Sequence, residues 1–232
     1  MRLVALRAEL VRAIRALAAA DLWHEGASAS CRDAATGWRL VAPAGIVPAS
    51  LRPRDLLLWS AAGECLEGRR PPPPDVALHL RVYAAVPRAG ALVLTRPPLA
   101  AVLADEALGL PPVSRRLAAL GGGIRCLPYA PRDSEALARL VADALGRRRA
   151  CLLAAFGVAA EGPTIAAAAA AVALVERVGG PYAAARLAGL RPRHLGEREM
   201  AHALRYAGPP LRRAGERALM RGEEMPWRGE EP

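Results

Sequence analysis

The chain has 232 residues, is 53% hydrophobic and carries a formal net charge of +10, so it has enough apolar content for a full core. All 32 residues of its Lys+Arg count are arginine; without a lysine there is no Schiff-base amine, which excludes class I aldolase and lysine-bound pyridoxal chemistry. The arginines are scattered, and the one dense run, Arg147 to Arg149, falls at a predicted helix end where cations complement the helix dipole, so no nucleic-acid partner is expected.

Asn and Gln are also absent. A thermophilic origin and a GC-rich genome account for this equally well. Cys31, Cys65, Cys126 and Cys151 lie far apart without a Cys-x-x-Cys pair, which reads as reduced structural thiols of a cytosolic protein. No signal peptide is read at the start, and the most apolar run, 165–175, is too short and Ala-rich to span a membrane. A cytoplasmic protein without a membrane partner is expected.

In chain order, residues 3–20 set Leu3, Leu6, Leu10, Ile14 and Leu17 on one stripe with Arg7 elsewhere, which predicts a surface helix with one buried face. Gly26 to Cys31 is a Gly/Ser turn entering a strand. Residues 37–41 alternate as a strand and run into the turn Ala42-Pro43-Ala44-Gly45. Pro53 and Asp55 shape a turn before a buried run, and 55–68 reads as a hairpin. Pro71 to Pro74 form a stiff segment without backbone donors. The helix that follows, 75–86, places Asp75 and His79 on one face at i and i+4, with Asp75 well placed to cap it.

The apolar run 91–95 predicts a buried strand that ends abruptly in Thr95, Arg96, Pro97 and Pro98. A short helix is predicted over 97–106, a loop with a helical piece over 109–123, and a strand over 124–129. Ser134 or Asp133 caps a helix to about Leu145. Strands at 150–155 and 157–161 flank Phe156 and Gly157. Pro163 sits just inside the start of an Ala-rich helix to about Val178, with further helix from Tyr182. Residues 208–232 read as a mobile tail.

Several of these pieces, taken together and in this order, resemble the class II aldolase/adducin family. They are the proline segment with Asp75 and His79, the strand ending at Thr95 and Arg96, the stretch from Tyr129 to Ala138, and the strand running into Phe156 and Gly157. The resemblance implies a three-layer α/β/α sandwich with a mainly antiparallel central sheet, covering 1–207 as one domain. It also implies a homo-oligomer, a tetramer, with the active site at a subunit boundary.

The family places three zinc-binding histidines where this chain has Leu94, Arg96 and Phe156. Two phosphate-binding serines match Pro73 and Pro74, and the acid/base glutamate matches Asp75. Of the remaining phosphate contacts the resemblance leaves Ser28, or Ser30, and Gly45 as candidate substrate-binding residues. Leucine and phenylalanine cannot ligate, and a guanidinium repels a metal, so no metal and no cofactor are expected.

Two functions remain open. One is a metal-free binding or assembly subunit, working with itself or with a histidine-complete paralogue. The other is an enzyme retasked for metal-independent lyase or isomerase chemistry on a small carboxylate or sugar-derived anion. In the second, Arg96 would clamp the anion and Asp75 or His79 would serve as acid/base. If the cleft is structural instead, Arg96 pairs with Asp75 or with Glu161. An open pocket lined by Arg96 and Asp75 would favour the enzyme, and one plugged by Phe156 the subunit.

Overall fold

The structure is a computed structural model, and it describes residues 2–205. The tail 208–232 and the boundary at 207 lie outside the described residues. Eight strands form one sheet in the order β4-β3-β2-β1-β5-β8-β7-β6. They are β1 (Ser28–Arg32), β2 (Arg39–Val41), β3 (Leu57–Trp59), β4 (Cys65–Glu67), β5 (Ala91–Thr95), β6 (Cys126–Leu127), β7 (Ala150–Leu153) and β8 (Gly157–Gly162). Every pairing is antiparallel except β6 with β7.

Helices cover both faces, which completes the three layers. On one face α2 (Val76–Ala85) and α4 (Glu135–Arg147) pack over Leu92, Leu94, Cys151, Leu153 and Ala159. On the other, α1 (Val4–Ala19), α3 (Pro98–Asp105) and α5 (Ile165–Leu187) cover Ala29, Leu40, Val93, Leu152 and Val158. Leu92 and Leu94 thus face one layer while Ala91 and Val93 face the other, the period-two alternation of a strand buried on both sides. A last helix, α6 (Glu197–Arg205), buries Met200 and Leu204 against Ala118 of the 3-10 turn Arg115–Leu120.

Several elements differ from the sequence expectation. Arg7, placed off the buried stripe of α1, is itself buried. Its guanidinium donates to Arg2 O at 2.8 Å, Pro53 O at 3.0 Å and Leu56 O at 2.9 Å and pairs with Glu67 at 2.8 Å, and these partners make the burial tolerable. The predicted strand 124–129 contracts to β6, because Ile124 makes only an isolated bridge to Leu110. Pro163 lies before the N-cap, which is Thr164, whose hydroxyl accepts from Ala167 N.

Helix α5 passes through Pro181 to Leu187 instead of stopping near Val178. Its 23 residues are long and apolar enough to cross a membrane, against the reading of 165–175 alone. Here the helix packs on α3, β8 and α1, as a core helix does.

Candidate functional site

The candidate site lies where β5 ends and the β7–β8 turn folds back beside it. Thr95 pairs with Val158 across β5 and β8. Gly157 has φ +147, and a Cβ there would stand 2.5 Å from Thr95 O, so only glycine lets the turn close on the strand. This closure brings the Arg96 and Phe156 positions together: Arg96 Nη1 donates to Phe156 O at 3.0 Å. Leu94 is buried beneath them in the α2/α4 layer, and Phe156 packs at the edge of that layer.

Asp75, His79, Ser28, Ser30 and Tyr83 form a buried polar chain between β1 and α2. Ser28 Oγ donates to Asp75 Oδ2 at 2.9 Å and meets His79 Nε2 at 2.9 Å. Ser30 Oγ lies 2.6 Å from His79 Nδ1 and 2.7 Å from the Tyr83 hydroxyl. An ionised carboxylate only accepts, and this fixes every donor upstream. His79 Nε2–H donates to Ser28, the Ser30 hydroxyl donates to His79 Nδ1, and the Tyr83 hydroxyl donates to Ser30. One directed chain of four hydrogen bonds therefore runs from Tyr83 to Asp75, with His79 neutral and its proton on Nε2.

Burial pushes the His79 pKa down; Asp75 opposes this and Arg132 adds to it. Burial likewise pushes the Tyr83 hydroxyl up. Both shifts keep the chain neutral apart from its carboxylate end.

The counter-charge of Asp75 is Arg132, in the loop between β6 and α4. Its Nη2 pairs with Asp75 Oδ2, and its guanidinium carbon sits 4.4 Å from the centroid of the Phe156 ring. The side chain also abuts the Gly26 turn, where a Cβ would stand 2.8 Å from Nη1. Ser134, two residues on, caps α4 by accepting from Leu137 N at 3.1 Å, which anchors the loop that presents Arg132.

The expected partners of Arg96 are therefore corrected. Arg96 pairs with Asp105 of α3 at 2.6 Å, not with Asp75, which Arg132 takes, nor with Glu161, which Arg88 holds at 3.1 Å. Strand β5 ends at Thr95 and the Arg96 side chain is 40% exposed, so the buried strand does not carry its burial on to this cation. Asp75 makes no side-chain cap on α2, because its carboxylate faces inward to Ser28 and Arg132.

Of the candidate substrate contacts, Ser28 is buried inside the chain just described. Gly45 has φ +60 and open space around it. Its turn is tied to the proline segment by Ala44 N donating to Pro71 O at 3.0 Å, and no hydrogen bond links Gly45 to Asp75 or His79. Arg132 was missed as a site residue. The available signal was an arginine directly after Pro131 in a stretch that carries the family resemblance.

A sequence model of the family described as "Class II Aldolase and Adducin N-terminal domain" matches residues 8–179, and the chain belongs to this family. It is 34% identical over 182 residues, 77% of this chain and 80% of the relative, to a 5-methylthioribulose-1-phosphate/5-deoxyribulose-1-phosphate aldolase of Rhodospirillum rubrum. It is 33% identical over 120 residues to a 5-deoxy-D-ribulose 1-phosphate aldolase of Bacillus thuringiensis, spanning 52% of this chain and 56% of that one. A solved L-fuculose 1-phosphate aldolase superposes with TM-score 0.84 at 27% identity, covering 88% of this chain and 97% of that chain. An L-fuculose-1-phosphate aldolase of Thermus thermophilus superposes with TM-score 0.69 at 26% identity, covering 81% and 98%.

A zinc ion does not fit the residues here. Leu94 and Phe156 offer no donor, Arg96 and Arg132 are permanent cations, and among the described residues no three His, Cys, Asp or Glu side chains cluster as a metal site. Asp75 Oδ1 is buried without a hydrogen-bond partner, yet one carboxylate oxygen beside a guanidinium is no ligand set for zinc.

Proposed function

We propose that this chain uses the class II aldolase fold without zinc-dependent aldol cleavage and serves as a binding or assembly subunit, as a homo-oligomer or beside a histidine-complete paralogue. The observation that carries the reading is Arg132. It stacks on the residue at the third histidine position and pairs with the residue at the glutamate position. A protein-borne cation thereby supplies the positive charge that balances Asp75, a place that a metal needs vacant. Arg132 and Phe156 together plug the cleft, and Asp75 and His79 are wholly buried beneath them, which weighs against a substrate using either as acid or base.

The test is direct. The purified protein should hold no stoichiometric transition metal by elemental analysis after dialysis. It should also leave 5-deoxyribulose 1-phosphate and 5-methylthioribulose 1-phosphate uncleaved when zinc is added. One tightly bound metal per chain, or zinc-dependent turnover, would overturn the reading. Metal-independent turnover of a small carboxylate or sugar-derived anion, abolished by Arg96→Ala, would establish the retasked enzyme in its place.

A further inference from the structure

Helix α5 ends in a turn that satisfies its own carbonyls. The amides of Ala188, Gly189 and Leu190 donate to Ala184 O, Arg186 O and Ala185 O, with Gly189 at the left-handed φ of +74 that such a turn needs. Residues 190–196 then run without regular structure to α6. The helix end and this segment together line a cavity of about 510 Å³, with Tyr182, Arg186, Arg191 and His194 as its polar part and Leu190 and Pro192 as its apolar part.

Cations at a helix C-terminus ordinarily answer the last carbonyls. At α5 the turn itself does this, and the Arg186 side chain makes no hydrogen bond or ion pair among the described residues. The same holds for the side chains of Arg191 and His194. After Leu190 the next amide with a backbone partner is Leu195 N, on Pro112 O at 2.8 Å, so the amides of Arg191 and His194 are open donors too. Tyr182 is only 9% exposed. Its hydroxyl has no partner among the described residues, yet protein does not enclose it, and the open space it meets is the cavity. The described lining thus offers two permanent cations and several N–H and O–H donors, with no carboxylate among them.

We propose that this cavity at the end of α5 binds a phosphate dianion carried on a small organic body. Arg186 and Arg191 supply two positive charges that no described residue neutralises, which matches the dianion, and guanidinium forks suit its oxygens in geometry as well. A phosphate accepts through three oxygens, a carboxylate through two; the donors of Tyr182, His194 and the loop amides answer the larger number. Leu190 and Pro192 take the organic body. The volume lies within the roughly 300–1,000 Å³ of small-molecule sites, so there is room for a body as large as a nucleoside. The cavity shares no residue with the cleft and does not depend on how the cleft is read.

Calorimetric titration of the full chain at low ionic strength tests this, with inorganic phosphate, glycerol 3-phosphate, AMP and succinate as probes. Saturable one-to-one binding of at least one ester, tighter than inorganic phosphate or succinate, is expected; the two esters distinguish a polyol phosphate from a nucleotide source. Arg186 and Arg191 are exposed, so Arg186→Gln and Arg191→Gln leave the core untouched. Each should weaken binding by about ten- to a hundredfold, the worth of one charge-assisted contact. Tyr182→Phe keeps the packed ring, removes the hydroxyl and should weaken binding by about two- to tenfold. Arg177→Gln, an equal loss of charge earlier on the same helix, and Arg96→Gln at the cleft should leave it unchanged. No saturable binding, inorganic phosphate or succinate bound as tightly as either ester, or equal weakening by Arg177→Gln would overturn the proposal. So would a loss confined to Arg96→Gln, or a Tyr182→Phe variant that binds like the parent, since either would put the ligand outside this cavity.

Discussion

Arg96 and Arg132 both stand at the cleft, but their surroundings give them different weights. Arg96 and Asp105 are 40% and 45% exposed, and an ion pair that wet contributes at most about 1 kcal/mol. Arg132 is 25% exposed and its partner Asp75 is wholly buried. Arg132→Ala strands that carboxylate and should cost about 3 kcal/mol, the low end for breaking a buried pair; Arg132→Leu with Asp75→Leu should recover much of it. Arg96→Ala should cost under about 1 kcal/mol. Urea melts of the four proteins compare them directly, and a larger loss for Arg96→Ala than for Arg132→Ala would sink this assignment. Arg96 was legible in the sequence because the resemblance aligns it with a histidine at the end of a predicted strand. Arg132 was illegible because its role depends on a loop conformation, and the sequence says nothing about which way a residue after a proline points.

His79 gives the same network a pH signature. Its folded pKa is lowered by burial, while in the unfolded chain it titrates near 6.5. Below that pH the unfolded state takes up a proton that the folded state refuses. Stability is therefore fully present above about pH 6.5 and falls as pH drops from there toward the folded pKa, by at most about 1.4 kcal/mol per unit. Replacing His79 by Gln removes this titration, so the difference in unfolding free energy between parent and His79→Gln should shrink steadily from pH 7 to pH 5. A difference independent of pH in that window would mean that His79 is not held neutral by burial.

At the scale of elements, the link between α3 and α5 is a cap donated across space. Glu176 of α5 accepts from Leu99 N at 2.9 Å and Ala100 N at 2.7 Å, satisfying two of the free amides at the start of α3. Glu176→Ala should lower stability by about 1–2 kcal/mol, as other cap losses do. Glu176→Gln, which keeps one acceptor, should lower it by less; equal losses in the two variants would mean that charge, not the bonds, carries the contact. Nothing in the sequence announced this cap, because the partners are 77 and 76 residues apart.

Strand β5, the β3–β4 hairpin and the Ser134 cap of α4 were legible, since alternation, turn residues and an N-cap serine act locally. The end of α5 was not. Pro181 reads as a breaker, yet the helix continues through it with Gly180 packed on Leu99 so closely that a Cβ would stand 2.5 Å from that side chain. Tertiary packing against α3 outweighs the helical bond lost at the proline.

For the whole molecule, the question is assembly, and its grounds shift once the fold is known. The apolar faces of α1 and α5 are buried within the single chain against the sheet, so neither calls for a partner. The large apolar groups left outside include Leu99, 52% exposed, and Tyr129, 71% exposed. Leu99 is three residues past Arg96, and Tyr129 is three residues before Arg132, so both lie close in the chain to residues of the cleft. Aromatic and aliphatic anchors of this kind are the usual centres of an interface. They suit the subunit boundary that the resemblance places at the same cleft. Light scattering at micromolar concentration should give four times the chain mass of 24.4 kDa. Leu99→Arg with Tyr129→Glu should reduce that to the mass of one chain while leaving the far-ultraviolet circular dichroism unchanged. A parent that already scatters as a monomer would remove the assembly half of the proposed function. A double variant that remains a tetramer would place the interface elsewhere on the molecule.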